Sequence, residues 1–149
     1  MKLLVINGPN LNLLGVREPD IYGKQNYDAL CDFIRAAAAE VNAECELYQS
    51  NHEGAIVDKI QDALGKFDGI VINPAAYTHT SIAIHDALEA AAIPAVEVHM
   101  SNIQARDDFR RTSLTAPACI AQIAGLGADG YEFALRALVR RLSASGQTR

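Results

Sequence analysis

Several residue types and patterns are scarce in this sequence of 149 residues, and each scarcity closes off a class of function. The three cysteines, Cys31, Cys45 and Cys119, are far apart, odd in number and outside any C-x-x-C or Cys/His ligand spacing. That pattern predicts reduced thiols packed as small hydrophobes and no structural zinc. No apolar run approaches the roughly 18 to 20 residues that cross a bilayer, so no membrane span is expected. Basic residues are in deficit, with 13 Lys and Arg against 18 Asp and Glu and a net charge of −5. A nucleic-acid binder needs a basic face, so nucleic acid is not an expected partner, and any anionic ligand must be met by a local cluster. Repeats and linker-like stretches are lacking, and the length suits a single well-packed domain over residues 1–149. The apolar stretch Met1 to Ile6 breaks at Asn7-Gly8-Pro9 without the small-residue cleavage site of a secretion signal. It predicts a strand, and a cytoplasmic protein.

What is present is apolar: half of the residues are hydrophobic, and runs rich in Val and Ile alternate with stretches of helical period. This is the pattern of a parallel sheet wrapped by helices. Strands are expected at Lys2 to Asn7, Ala43 to Gln49, Phe67 to Asn73, Ala95 to His99 and Ile120 to Ala124. Helices are expected at Tyr27 to Val41, capped by Asn26 with Leu30, Phe33 and Ile34 on one face, and at Glu53 to Lys66, with Ile56, Val57, Ile60 and Leu64 inward. Two more are expected at Thr80 to Ala92 and Tyr131 to Leu142, and the polar tail Ser143 to Arg149 should fray. The fold class is α/β, a flavodoxin-like, doubly wound five-stranded parallel sheet in the order 2-1-3-4-5.

Ligands of such sheets bind beyond the carboxyl ends of the strands, and here those ends are polar. They read Asn7-Gly8-Pro9-Asn10, Gln49-Ser50-Asn51-His52, Asn73-Pro74 and Glu97-Val98-His99-Met100-Ser101-Asn102. Any one of them suits a turn for local backbone reasons. Together they point to a small polar ligand.

The segment from Asn10 to Lys24 lacks periodicity, and Gly15 and Gly23 bracket Arg17, Glu18 and Tyr22. It reads as a lid or as a plain surface connection. A free tyrosine titrates near pH 10, but an arginine within about 6 Å favours the phenolate, which would turn Tyr22 into a base. Glu97 and His99 flank Val98 on a strand and so share a face. A carboxylate beside an imidazole fixes its tautomer and raises its pKa, as a general acid requires, although such a pair also serves as a structural hydrogen bond. Ser101-Asn102-Ile103 follows, where a turn can offer N–H groups and a hydroxyl to a carboxylate. Arg106 and Arg110 have the spacing of one helical turn and would project together, as a solvated face or as local positive potential for an acidic substrate. Gly125-Leu126-Gly127-Ala128-Asp129-Gly130 matches a dinucleotide fingerprint but lacks the later strand and acid that would hold a ribose, and reads as a tight turn with close helix packing. His79 precedes a helix, with ligand and capping roles both open, and His52 and His85 have no partner at metal spacing.

These same residues resemble the type II dehydroquinases, the 3-dehydroquinate dehydratases of the shikimate and quinate pathways. The likeness runs from Ile6-Asn7-Gly8-Pro9-Asn10-Leu11 through Arg17-Glu18-Pro19-x-x-Tyr22-Gly23, Gln49-Ser50-Asn51 and Asn73-Pro74-x-x-Tyr77-Thr78-His79-Thr80-Ser81. It continues through Glu97-Val98-His99-x-Ser101-Asn102 to Arg106 and Phe109-Arg110. The resemblance implies a lyase of aromatic amino acid biosynthesis, no metal or organic cofactor, and a homododecamer built as a tetramer of trimers. It implies anti elimination of water from 3-dehydroquinate through an enolate to give 3-dehydroshikimate. Tyr22 would take the C2 proton, with Arg17 and Arg106 lowering its pKa, and His99, oriented by Glu97, would protonate the departing hydroxyl. Asn10 and Asn73 would position the substrate and a water at the enolate oxygen, and Ser101, Asn102 and Ile103 would hold the carboxylate. His79 and Arg110 would bind ring hydroxyls, and Asp86 would reach in from a neighbouring subunit. An imine route would need a site lysine, and none of Lys2, Lys24, Lys59 and Lys66 ends a strand. The rival readings are a flavodoxin-like module binding a phosphate or flavin, and a dehydratase or isomerase of another cyclic keto acid.

Overall fold

The structure is a computed structural model that describes residues 1–16 and 26–146. Its strands are β1 (Lys2–Asn7), β2 (Glu44–Gln49), β3 (Gly69–Asn73), β4 (Ala95–His99) and β5 (Ala121–Ala124). The helices among the described residues are α1 (Tyr27–Glu40), α2 (Glu53–Asp62), α3 (Ile82–Ala91) and α4 (Asp129–Gly146). All strand pairs are parallel, and the order is β2-β1-β3-β4-β5, as the alternation of apolar runs and helical stretches predicts.

The central strands are covered on both faces, which is why they read as unbroken apolar runs. Along β1, Leu3 and Val5 face one way, with Val71, Val96 and Val98, onto Leu30 and Ile34 of α1 and Leu135 and Leu138 of α4. Leu4 and Ile6 face the other way, with Ile70 and Ile72, onto Ile56 and Ile60 of α2 and Ile84 and Leu88 of α3. Each such side chain, taken fully from water, contributes roughly 1.5 to 3 kcal/mol of transfer free energy.

Helix α1 starts where expected, with the Asn26 side chain accepting from the Ala29 N–H at 2.8 Å. Other boundaries differ from the sequence reading. Helix α2 stops at Asp62 because the chain then turns through Gly65 at φ +69°, and Leu64, expected inward, is 53% exposed. Helix α3 begins at Ile82, with the Ser81 hydroxyl accepting from the Ile84 N–H at 2.9 Å, and Ala75–His79 form a 3-10 turn before it. Ala43, Phe67, Asp68 and Ile120 lie just outside their strands, and α4 begins at Asp129 and continues past Leu142 to Gly146. No helix among the described residues is long and apolar enough to cross a membrane.

Candidate active site

Strand register gathers the polar residues at one edge. Asn7 pairs with Gln49 on one side and Asn73 on the other, and His99 pairs with Ala124. At this edge β1 and β3 approach closely: the Gly8 N–H donates to Asn73 O at 2.8 Å, and a Cβ on Gly8 would lie 2.5 Å from Pro74 O. Only glycine fits there. Asn10 follows in the left-handed region at φ 68°, where asparagine is tolerated, and its N–H donates to Asn51 Oδ1 at 3.0 Å. Its own side chain makes no capping bond to the 3-10 turn it opens.

A cavity of about 310 Å³ opens beyond these strand ends. Asn10, Asn73, His79 and His99 line it, with Ser101, Arg106 and Arg110 adding polar and basic groups and Ile103 also in the lining. The structure thus brings together eight of the residues singled out in the sequence. Glu97 lies beneath the cavity, behind His99. Asn102 is exposed outside the lining and turns its side-chain oxygen back to the Gln104 N–H at 3.1 Å. Asp86 is exposed on α3 and does not reach the cavity of its own chain. Tyr22 and Arg17 lie outside the described residues, as does most of the expected lid.

Glu97 sets the electrostatics. It is completely buried, and its Oε1 accepts from His99 Nε2 at 2.6 Å, Thr78 Oγ1 and Ser113 Oγ at 2.8 Å each, and Gln122 Nε2 at 2.9 Å. Thr115 Oγ1 donates to the other oxygen, Oε2. Burial pushes the carboxyl pKa up, but the bonds from His99, Thr115 and Gln122 more than offset this and hold it at about 2. A carboxylate only accepts, so His99 Nε2 carries a proton and Nδ1 is left for the cavity. His79 is fixed in the same way: its Nδ1 faces the Thr112 carbonyl at 2.8 Å, which must accept, so Nε2 is free for a ligand hydroxyl.

Arg106 and Arg110 meet at the cavity by a route other than the expected helix. The segment is two short 3-10 turns, Ile103–Ala105 and Asp108–Arg110, with Arg106 extended between them at φ −96°, ψ −169°. Buried Arg110 Nε has no hydrogen-bond partner among the described residues, and Asp107 Oδ2 stands off at 3.7 Å, beyond hydrogen-bond reach. That N–H is therefore a buried, unsatisfied donor among the described residues, in a side chain that lines the cavity. The glycine-rich turn after β5 is structural: a Cβ on Gly125 would lie 3.1 Å from Asn102 Cβ, and one on Gly130 would lie 3.2 Å from Val98 Cγ1. It holds the Ser101–Asn102 turn against the end of the sheet.

A family model described as "Dehydroquinase class II" matches residues 1–139. The chain belongs to the class II dehydroquinases. It is similar to the 3-dehydroquinate dehydratase of Lachnospira eligens, 57% identical over 141 residues that cover 93% of this chain and 96% of the relative. It is also similar to that of Clostridium acetobutylicum, 55% identical over 143 residues, covering 96% and 99%. The type II dehydroquinase of Butyrivibrio crossotus superposes with a TM-score of 0.90 at 55% identity, over 93% of this chain and 97% of that one. A 3-dehydroquinate dehydratase-like protein from Bifidobacterium longum gives 0.72 at 30% identity, over 96% and 98%.

In this dehydroquinase, sequence reasoning assigned no role to the hydroxyl and amide residues that hold Glu97. Gln122 carried only its register, opposite Glu97 on the neighbouring strand, and an amide on a partly exposed edge strand needs no partner by itself. Thr78, Ser113 and Thr115 carried none, because hydroxyls are common in turns for local reasons.

Proposed function

We propose that the chain is a 3-dehydroquinate dehydratase that removes water from 3-dehydroquinate by anti elimination, giving 3-dehydroshikimate. The observation that carries the reading is His99, held through Nε2 by an ionised buried Glu97 and lining one cavity with Asn10, Arg106 and Arg110. A carboxylate substrate needs the arginines, a proton next to a ketone needs a base and a donor for the enolate oxygen, and a departing hydroxyl needs an acid. Tyr22 takes the C2 proton as phenolate, favoured by Arg17 and Arg106. Asn10 and Asn73 position the substrate and a water at the enolate oxygen, and His99 protonates the leaving C1 hydroxyl. Ser101, Asn102 and Ile103 receive the carboxylate, while His79 and Arg110 bind ring hydroxyls. Asp86, exposed on α3, serves the site of a neighbouring subunit in a cytoplasmic dodecamer.

Chelator-treated protein mixed with 3-dehydroquinate should develop conjugated-enone ultraviolet absorbance. Tyr22→Phe should lose nearly all turnover while keeping substrate affinity, because it deletes the base and little contact area. No absorbance change with the wild type would overturn the reaction, and full activity in Tyr22→Phe would overturn the choice of base.

A further inference from the structure

Asn73 faces the cavity from the end of β3, and its neighbours determine which end of its amide the cavity meets. The Ala75 main-chain N–H can only donate, and it lies 3.1 Å from Asn73 Oδ1. The amide nitrogen Nδ2 therefore lies at the other end, 2.9 Å from the hydroxyl of Tyr131 on α4. An amide NH₂ can only donate, so the Tyr131 oxygen accepts there and sends its own proton to Asn7 Oδ1 at 2.7 Å. Asn7 Nδ2 is then left to point at the Tyr27 hydroxyl, 3.5 Å away. The direction of every bond in this row follows from one backbone N–H.

The row is shut away from water: Tyr131 and Asn7 are fully buried and Asn73 is 4% exposed. Burial pushes the Tyr131 phenol up, above the ordinary tyrosine range, so it stays protonated and the row keeps its direction. Asn73 Nδ2 has two hydrogens, of which Tyr131 takes one, and the second is available to the cavity that Asn73 lines.

We propose that Tyr131 is a positioning residue for the reaction: its hydroxyl pins the Asn73 amide so that an N–H donor, not a carbonyl acceptor, is presented to the cavity. This rests on the dehydration reading above. Negative charge develops on the ketone oxygen as the C2 proton leaves, and a fixed donor, directly or through a water, is worth more there than one that must reorient. Without the Tyr131 oxygen, Asn73 Nδ2 loses its acceptor and Asn7 Oδ1 its donor, and Ala75 alone holds the amide.

The test is a kinetic cycle with Tyr131→Phe, Asn73→Ala and the double variant, with melting temperature measured in parallel. Tyr131→Phe should lower kcat about tenfold and leave KM within about twofold, and on top of Asn73→Ala it should lower kcat hardly at all. Its effect on melting temperature should be smaller on top of Asn73→Ala but should persist there, because the bond to Asn7 is lost in both backgrounds. A kcat unchanged by Tyr131→Phe, or lowered as much with Asn73→Ala as without, would reduce Tyr131 to a core residue and overturn the proposal. Should Tyr131→Phe fail to fold, Asn7→Ala decides. It strands the Tyr131 proton, and should lower kcat about threefold at steady KM in the wild-type background only; an unchanged kcat overturns the proposal. A wild type that does not dehydrate 3-dehydroquinate would instead remove the reaction itself, a separate outcome seen before any variant is made.

Discussion

Glu97 shows how a single residue can be both an electrostatic device and a folding constraint. With a folded-state pKa of about 2 against an ordinary 4.5, it contributes about 3 kcal/mol of stability above pH 4.5, lost as pH falls towards 2. Thr115→Val removes one donor and raises that folded value. It should cost about 1 to 3 kcal/mol at neutral pH, and the gap from wild type should narrow as pH falls through the variant's raised value. Urea midpoints between pH 7 and pH 3 check this; a gap independent of pH would mean that Thr115 acts by packing alone. The pairing of Glu97 with His99 was legible in the sequence because alternation on a strand is a strict period. Tyr131 was not. On α4 it falls in an apolar stripe with Leu135 and Leu138, and nothing local shows that its hydroxyl meets an asparagine 124 positions away.

At the scale of elements, the sequence showed which segments are helical or extended, while their ends depended on side-chain bonds. Ser81 and Thr80 both look like caps, and only the structure shows that Ser81 accepts the Ile84 N–H and also donates to Glu53 Oε1 on α2. Ser81→Ala should therefore cost more than the roughly 1 kcal/mol of an ordinary lost cap, because a carboxylate contact goes with it. Thermal unfolding of Ser81→Ala beside Ser81→Asn, which restores an acceptor, separates the two contributions. Arg106 and Arg110 illustrate the opposite error. Their spacing fits a helix, but Arg106 breaks into extended backbone between two short turns. The spacing was informative about proximity and misleading about form.

For the whole molecule, the order 2-1-3-4-5 was legible because all-parallel sheets need alternating helices and leave few arrangements open. The cavity's polarity was legible too, from strand ends that carry amides and a histidine. Net charge is the property of the entire chain that works against its substrate: at −5, the protein repels an anion at long range while Arg106 and Arg110 attract it at the rim. Added salt screens both effects. KM for 3-dehydroquinate should rise with ionic strength if the local arginines dominate, with kcat nearly constant, and fall if the overall charge does; initial rates at low and high salt decide.

The cage around Glu97 also has a temporal meaning. Apart from Thr78, its hydroxyl and amide donors, Ser113, Thr115 and Gln122, all come later in the chain than the carboxylate they hold. A growing chain that has laid β4 beside β3 still has a charge with too few partners. Docking β4 gains its remaining donors stepwise, first from Ser113 and Thr115 in the connection and last from Gln122 on β5. Closure of the sheet's last pairing therefore completes the acid's surroundings but does not begin them, and a chain ending between Thr115 and Gln122 lacks only the last donor.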